Sequence, residues 1–221
     1  WIIAALALAT LHEEPAKVRS GKAEGARMAG IGLLRDDPQL RRYILTRGLL
    51  VSTALAPPFL VAMAGGEQGD YGALGLLVLA SAAASLLSSY VWGRLADRSS
   101  RQVLVLAGGG GAAALGAAVA LDAASLLAAP LVLPTVLFCL MIAYHGVRIG
   151  RSTHLVDLAP RDLRSAYTAL SNTLIGVLVL AGGGLSAVAA ILGPHVTVLL
   201  LAAASLGASF SALGLRDLQQ D

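Results

Sequence analysis

Residues 71–92 read YGALGLLVLASAAASLLSSYVW, and the next ten residues, 93–102, read GRLADRSSRQ. The first stretch contains no charged side chain, whereas the second contains four. A further apolar run, VLVLAGGGGAAALGAAVALD, begins at residue 103. A helix needs about 20 apolar residues to cross the hydrocarbon core of a bilayer. The pattern therefore predicts two membrane-spanning helices that are joined by a short charged turn.

The composition of the whole chain agrees with a membrane protein. Of the 221 residues, 57% are hydrophobic and 13% are charged, and the mean hydropathy is +0.76. A soluble domain has about 25% charged residues, so an ordinary soluble protein is excluded. Small residues dominate and aromatics make up only 5%, which favours closely packed helices. The apolar runs lack the alternation of barrel strands. We expect an all-α integral membrane protein.

Six stretches of the chain are long and apolar enough to span a membrane. They are predicted at 43–64, 71–92, 102–121, 130–149, 167–191 and 196–215. A shorter run at 1–11, WIIAALALATL, is interpreted as the tail of a truncated transmembrane helix. A central loop is expected at 12–42, within which Asp37 before Pro38 is a credible helix start, and a tail at 216–221.

The basic residues alternate along the chain between the ends of the predicted helices. The chain has 16 Lys and Arg residues, and the connections 65–70, 122–129 and 192–195 contain none of them. By the positive-inside rule, 12–42, 93–101, 150–166 and the C-terminus are expected in the cytoplasm, with the chain in a bacterial inner (plasma) membrane. Because the charge is spread over several loops, the lipid bilayer is the expected partner and nucleic acid is not.

The charged turn has a recognisable spacing. Gly93, Asp97, Arg98 and Arg101 resemble motif A of the major facilitator superfamily (MFS) of secondary transporters, in which Gly and Asp are separated by three residues. The motif's second Gly and its last basic residue are missing, since Ser and Gln stand there. The resemblance implies a cytoplasmic latch. We expect Asp97 to pair with an Arg or with a helix N-terminus.

The order of the segments places the resemblance in the C-terminal half of such a transporter. Residues 154–176, HLVDLAPRDLRSAYTALSNTLIG, resemble the loop before helix 11 and its start. The resemblance implies a six-helix bundle that corresponds to helices 7 to 12. It implies alternating access with a missing N-terminal six-helix half of the same transporter as partner, a small-molecule substrate and no cofactor. It further implies that segments 102–121 and 196–215 face lipid, while the other four line the cavity.

Several polar residues within the predicted helices are candidates for a cavity or a gate. They are Arg47, Tyr144, His145, Arg148 and Asn172. Charge inside a membrane is a functional hypothesis by default. Long side chains near the basic side also reach the interface, so simple anchoring stays open. For the amide of the Asn, packing between helices and substrate contact both stay open.

Other features concern the opposite side of the membrane and the loops. Pro57, Pro58 and Pro134 predict bending, with a kink of more than ~20° near Pro57 and an outer gate there. His154 and His195 are expected in loops and in contact with solvent.

Two alternatives to a transporter follow from the same sequence. GLSA at 184–187 weakly resembles a serine nucleophile, so a six-helix intramembrane protease-like enzyme is one alternative. A non-transporting pore or scaffold is the other. GGGG at 108–111 lacks the Lys and Ser/Thr of a phosphate loop and is interpreted as helix packing. We expect no enzyme activity and no metal site.

Overall fold

The computed structural model of the chain describes residues 32–65 and 71–217. All regular structure within these residues is helical, as expected. A helical turn at 32–36 precedes the longer helices. These are α1 (Pro38–Met63), α2 (Tyr71–Ala96), α3 (Ser100–Ala123), α4 (Val132–Leu158), α5 (Arg164–Gly182), α6 (Leu185–Leu192) and α7 (Pro194–Leu213). The predicted helix tail at 1–11, most of the loop 12–42 and the end of the tail 216–221 lie outside the described residues.

Six spans of the described chain are long and apolar enough to cross a membrane. The mean hydropathy of their apolar windows ranges from 1.6 to 2.3. Helices α5 and α6 form one such span, Arg164–Leu192, and each of the other long helices forms one. The all-α fold with six membrane-spanning helices, predicted from the sequence, is confirmed.

The helices extend further at the basic side than the apolar runs do. Helix α2 continues through Gly93 to Ala96, and α4 continues to Leu158. The loops expected at 93–101 and 150–166 therefore shrink to 97–99 and 159–163. Hydropathy indicates where a helix leaves the hydrocarbon, whereas the backbone hydrogen bonds continue into the polar region.

The start of α1 follows from its local sequence. Asp37 caps the helix, because its Oδ1 accepts hydrogen bonds from the backbone N–H groups of Gln39 at 2.8 Å and Leu40 at 3.1 Å. Pro38 occupies the first turn, where a missing N–H costs nothing. The helix therefore begins five residues before the predicted apolar segment, and its polar first turns lie beyond that segment.

Four helices form the centre of the bundle and the others lie outside it. Helix α3 packs along α4 and α7, and α1 packs along α7 and, less extensively, α4. Helix α2 lies mainly against α4, and α5 mainly against α1. In the central helices 33–44% of the apolar window is buried, against 11% in α2 and 6% in the span of α5 and α6.

The pairings of helices between the first three spans and the last three are partly repeated. Helix α1 packs along α7 and has a smaller contact with α5, whereas α4 packs along both α3 and α2. The third and sixth spans, α3 and α7, pack against each other across the middle. The buried share of their apolar windows is at least as large as that of α1. Each of the two helices therefore has one face inside the bundle.

Small residues allow α3 and α7 to approach closely. Ser205 Oγ donates to the carbonyl of Gly108 at 2.9 Å, and Ser209 Oγ donates to that of Val105 at 2.8 Å. A Cβ at Gly108 would lie 3.0 Å from the backbone nitrogen of Ser209. The interpretation of GGGG as a packing surface agrees with this geometry.

The prolines have different positions in their helices. Pro57 and Pro58 lie inside α1, which is continuous from Pro38 to Met63. The expected kink near Pro57 stays a prediction. For Pro134 the expectation of a bend is wrong, because it is the third residue of α4, in a first turn whose N–H groups have no helical partners.

The close approach of α3 and α7 predicts a large effect of a side chain at position 108. Gly108→Leu should lower the free energy of unfolding by about 2 kcal/mol or more, because the new atoms meet backbone that cannot move aside. Gly116→Leu is the matched control, since Gly116 is exposed and has no atom within 4 Å of a built Cβ. Thermal unfolding of the two variants in detergent measures the difference. Equal stability would contradict the proposed contact.

Candidate functional site

Polar side chains join five helix ends on one side of the bundle, where α2 also ends. The N-termini of α1, α3 and α5 lie there with the C-terminal ends of α2, α4 and α7. We name this set of contacts the polar layer. Its residues are Asp37, Arg42, Tyr43, Thr46, Ser99, Ser100, Arg101, His154, Tyr167, Ser211 and Asp217. It is the side on which the basic residues of the sequence gather.

An acid that follows α7 binds the start of α3. Asp217 accepts the hydroxyl proton of Ser99 at 2.8 Å and lies 3.5 Å from the guanidinium of Arg101. Ser99 also caps α3, because its Oγ accepts from the backbone N–H of Gln102 at 3.2 Å. A carboxylate at a helix N-terminus is stabilised by the helix dipole as well as by the ion pair. Asp217 thus closes the polar layer between α3 and α7.

The structure separates the residues of the motif-like turn. Arg101 is paired with Asp217, whereas Asp97 and Arg98 are exposed, and neither side chain has an ion-pair or hydrogen-bond partner among residues 32–65 and 71–217. Gly93 lies within α2, with open space where a Cβ would be. Among the described residues the expected pairing of Asp97 does not form. Helix α2 continues to within one residue of it, and Asp217 occupies the N-terminus of α3 instead.

A histidine predicted to lie in a loop is buried in the polar layer. His154 is fully buried in α4, where its ring stacks on Tyr43 with 5.6 Å between ring centroids. Its Nδ1 lies 3.0 Å from Ser100 Oγ, and its Nε2 has no hydrogen-bond partner among residues 32–65 and 71–217. The prediction of a solvated His154 is wrong, because the charged residues around it form the polar end of α4 and not a loop. A helical spacing with buried Val147 and Gly150 was the available signal.

An arginine inside the membrane-spanning part of α1 connects it to α5. Arg47 donates from Nη1 to Ser171 Oγ at 2.6 Å and from Nη2 to Asn172 Oδ1 at 2.8 Å. It lies nine residues after Pro38, or roughly 14 Å along the helix at 1.5 Å per residue. Two sequence candidates, Arg47 and Asn172, are therefore in direct contact. We name these three residues the arginine bridge.

The charge of the arginine bridge is not neutralised by the described residues. Both of its acceptors are neutral, and no described acid forms an ion pair with Arg47. Its Nε is buried and has no partner. Asn172 is exposed on α5. A lipid-facing position would satisfy neither the free donors nor the exposed amide, so this face suits a water-filled cavity or another polar partner.

The other candidates on α4 form no hydrogen bond or ion pair with either of these sites among the described residues. Tyr144 and His145 are half-buried and their rings are in edge contact, with 5.4 Å between centroids. Arg148 is exposed, one turn further along the helix. Within the described part of the chain, none of their side chains hydrogen-bonds to the arginine bridge. They remain candidates for a cavity or a gate.

A groove begins at Gly48, the residue after Arg47 in the chain, and extends along α1 to Leu55. It has a volume of about 280 Å³ and lies between α1, α5, α6 and α7. Its walls are formed by Gly48, Leu49, Val51, Ser52, Leu55, Leu178, Ala181, Gly182, Leu185, Leu200, Leu201 and Ala204. The Ser52 hydroxyl is buried in this otherwise apolar lining and has no partner. The sequence contains no motif that indicated the groove.

One further polar contact lies at the far end of the bundle. His195, in the first turn of α7, contacts the carboxylate of Asp122 at the end of α3. The expectation that His195 lies in a loop is wrong, since α7 begins at Pro194. No group of three or more potential metal ligands occurs among the described residues.

Comparison with protein-family models, with curated proteins and with solved structures gives no match. The contacts of the chain itself therefore carry the functional argument.

The polar layer predicts a larger loss of stability for Asp217→Asn than for Asp97→Asn. Asp217→Asn should lower the free energy of unfolding by about 1 kcal/mol, because it removes an ion pair and a helix-capping charge. Asp97→Asn is the matched control and should change stability by less than about 0.5 kcal/mol, as expected for an exposed side chain without partners. Thermal unfolding in detergent at low salt compares them. A larger loss for the Asp97 variant would contradict this assignment.

Proposed function

We propose that this chain forms one six-helix half of a secondary active transporter that moves a small solute by alternating access. The observation that carries the proposal is the repeated packing of its two helix triplets. Helix α1 packs along α7 and also contacts α5, and α4 packs along α3 and also contacts α2, although the contact with α5 is the smaller one. The two triplets start from opposite sides of the bundle. Inverted repeats of this kind are a common architecture of secondary transporters.

The uneven burial of the helices supports a partner half. Helices α2 and α5 have large exposed faces, whereas the central four helices are well packed. Lipid covers apolar side chains, but it does not satisfy the exposed Asn172 or the free donors of Arg47. A water-filled cavity between two halves accommodates both kinds of surface. The motif-like turn at Gly93, Asp97, Arg98 and Arg101 resembles the same class of transporter.

The polar layer supplies an element that two states can use differently. By the positive-inside rule it lies on the cytoplasmic side of the membrane. Asp217 joins α3 and α7 there through contacts that are partly exposed, so water can replace them at small cost. In this proposal the pair of Arg101 and Asp217 takes the latch role expected of Asp97.

A second candidate function rests on one contact. Ser100 Oγ and His154 Nδ1 are within hydrogen-bond distance, as in a nucleophile and base pair of an intramembrane hydrolase. Both residues are fully buried, and no acid accepts from the other ring nitrogen of His154. The transporter is therefore the better supported function. Covalent labelling of Ser100 by a fluorophosphonate, absent in Ser100→Ala, would favour the hydrolase.

Alternating access predicts opposite changes at two cysteines on the open face. In a Cys139→Ala background, Asn172→Cys reports the side of the polar layer and Ala62→Cys reports the far end of α1, where both native residues are exposed. Adding Asp217→Asn should raise labelling of the first by a membrane-impermeant maleimide and lower that of the second. The expected change is about fivefold, which corresponds to about 1 kcal/mol.

The control and the alternatives give different patterns. Asp97→Asn in the same background should leave both labelling rates unchanged. A pore would show both cysteines labelled at once and insensitive to Asp217→Asn, and a scaffold would show no coupling between them. Either pattern, measured in membrane vesicles of both orientations, would overturn the transporter proposal.

A further inference from the structure

The groove beside the arginine bridge has the polarity of a site for an amphiphile. Its lining on α1 begins at Gly48, the residue after Arg47 in the chain, and Arg47 donates a hydrogen bond to Asn172. The walls between α1, α5, α6 and α7 are apolar over a volume of about 280 Å³. Small-molecule sites combine a mainly apolar lining with a few convergent polar groups, and this volume is near their lower limit.

The donors of Arg47 are only partly used within the described chain. A guanidinium has five N–H donors, of which the bridge uses one from Nη1 and one from Nη2. Nε is buried without a partner, and no described acid balances the charge. Burying an unpaired charge is costly, so an oxyanion that accepts from these donors would be strongly favoured over a neutral group.

The boundaries of the groove are defined by close contacts between helices. A Cβ at Gly48 would lie 2.7 Å from Leu178 Cδ1, and a Cβ at Gly182 would lie 2.8 Å from Leu55 Cδ1. Helices α1 and α5 therefore touch at both levels. The groove therefore lies beside two helices that are in contact, and it is not a gap between separated helices.

The groove is also elongated along the helices. Its lining on α1 extends from Gly48 to Leu55, or roughly 10 Å at 1.5 Å per residue. Ser52, only 4% exposed, places an unpartnered hydroxyl within this length. An extended apolar chain fits this shape better than a compact polar solute does.

We infer that the arginine bridge and the groove bind an anionic amphiphile, with its oxyanion on Arg47 and Asn172 and its apolar chain along α1 toward Leu55. The class includes single-chain carboxylates and phosphates, and the same chemistry is present in an anionic lipid. The binding site stands independently of transport, and only its interpretation as a substrate site rests on the proposed function.

Equilibrium binding to the protein in phosphatidylcholine nanodiscs tests this assignment. The probe is radiolabelled decanoate, compared with decyltrimethylammonium, and empty nanodiscs correct for partition into lipid. Wild-type protein should bind decanoate saturably and the cation no more than empty nanodiscs do. Arg47→Gln should weaken decanoate binding by about tenfold or more, as expected for loss of a charged hydrogen-bond donor.

Matched variants separate the head and the tail of the site. Ala204→Leu fills the groove and should weaken decanoate binding, whereas Ala203→Leu, on the exposed face of the same helix, should not. Arg94→Gln removes an exposed arginine that contacts Tyr90 and should leave binding unchanged. Thermal unfolding of each variant identifies any that fails to fold, and Arg47→Lys, which keeps the charge, should retain part of the affinity.

The source of the anion is distinguished by repeating the measurement in nanodiscs with phosphatidylglycerol. Loss of decanoate binding there assigns the site to an anionic lipid, and retained binding assigns it to a free amphiphile; both support the shared chemistry. Equal binding by wild type and a folded Arg47→Gln, or equal binding of the cation, would overturn the inference. Decanoate binding without coupled cysteine labelling would contradict the transporter proposal alone. Coupled labelling without decanoate binding would contradict only the binding site proposed here.

Discussion

The contact between α3 and α7 is the constraint on which the rest of the bundle depends. Two serine hydroxyls of α7 donate to carbonyl groups of α3, and glycine at position 108 lets the backbones meet. Both helices then supply the surfaces on which α1 and α4 pack, and those in turn hold α5 and α2. In lipid, apolar side chains gain little from meeting one another, so backbone proximity and hydrogen bonds set the arrangement. The outer helices consequently have the freest faces.

The apolar surroundings also determine where the polar groups lie. Hydrocarbon offers them no partners, so they collect at the helix ends or join helices within the span. The polar layer is the first solution, in which Asp37 caps α1 and binds Tyr167 of α5. In the same layer, Asp217 binds the side chains of Ser99 and Arg101 at the start of α3. The arginine bridge is the second solution, and it leaves donors unused. The arginine of the bridge forms no ion pair with a described acid, and this charge makes the bridge a candidate binding group.

Sequence patterns were sufficient for the parts of this fold that depend on local chemistry. The six apolar spans and the capped start at Asp37 needed only hydropathy and turn propensity. The sequence also indicated Arg47 and Asn172 as candidates, but their contact depends on the pairing of α1 with α5, which no local pattern encodes. Asp97 had the expected spacing, yet Asp217, far away in the chain, holds the helix start. His154 was misplaced because a polar helix end has the composition of a loop.

The serine-to-carbonyl contacts of α3 and α7 have a thermodynamic consequence. Because the two helices associate within an apolar medium, their contact removes little apolar surface from water. The large heat-capacity change that curves the stability of soluble domains with temperature arises from that surface. The free energy that joins α3 to α7 should therefore depend only weakly on temperature, and this part of the bundle should not loosen on cooling as water-exposed hydrophobic contacts do.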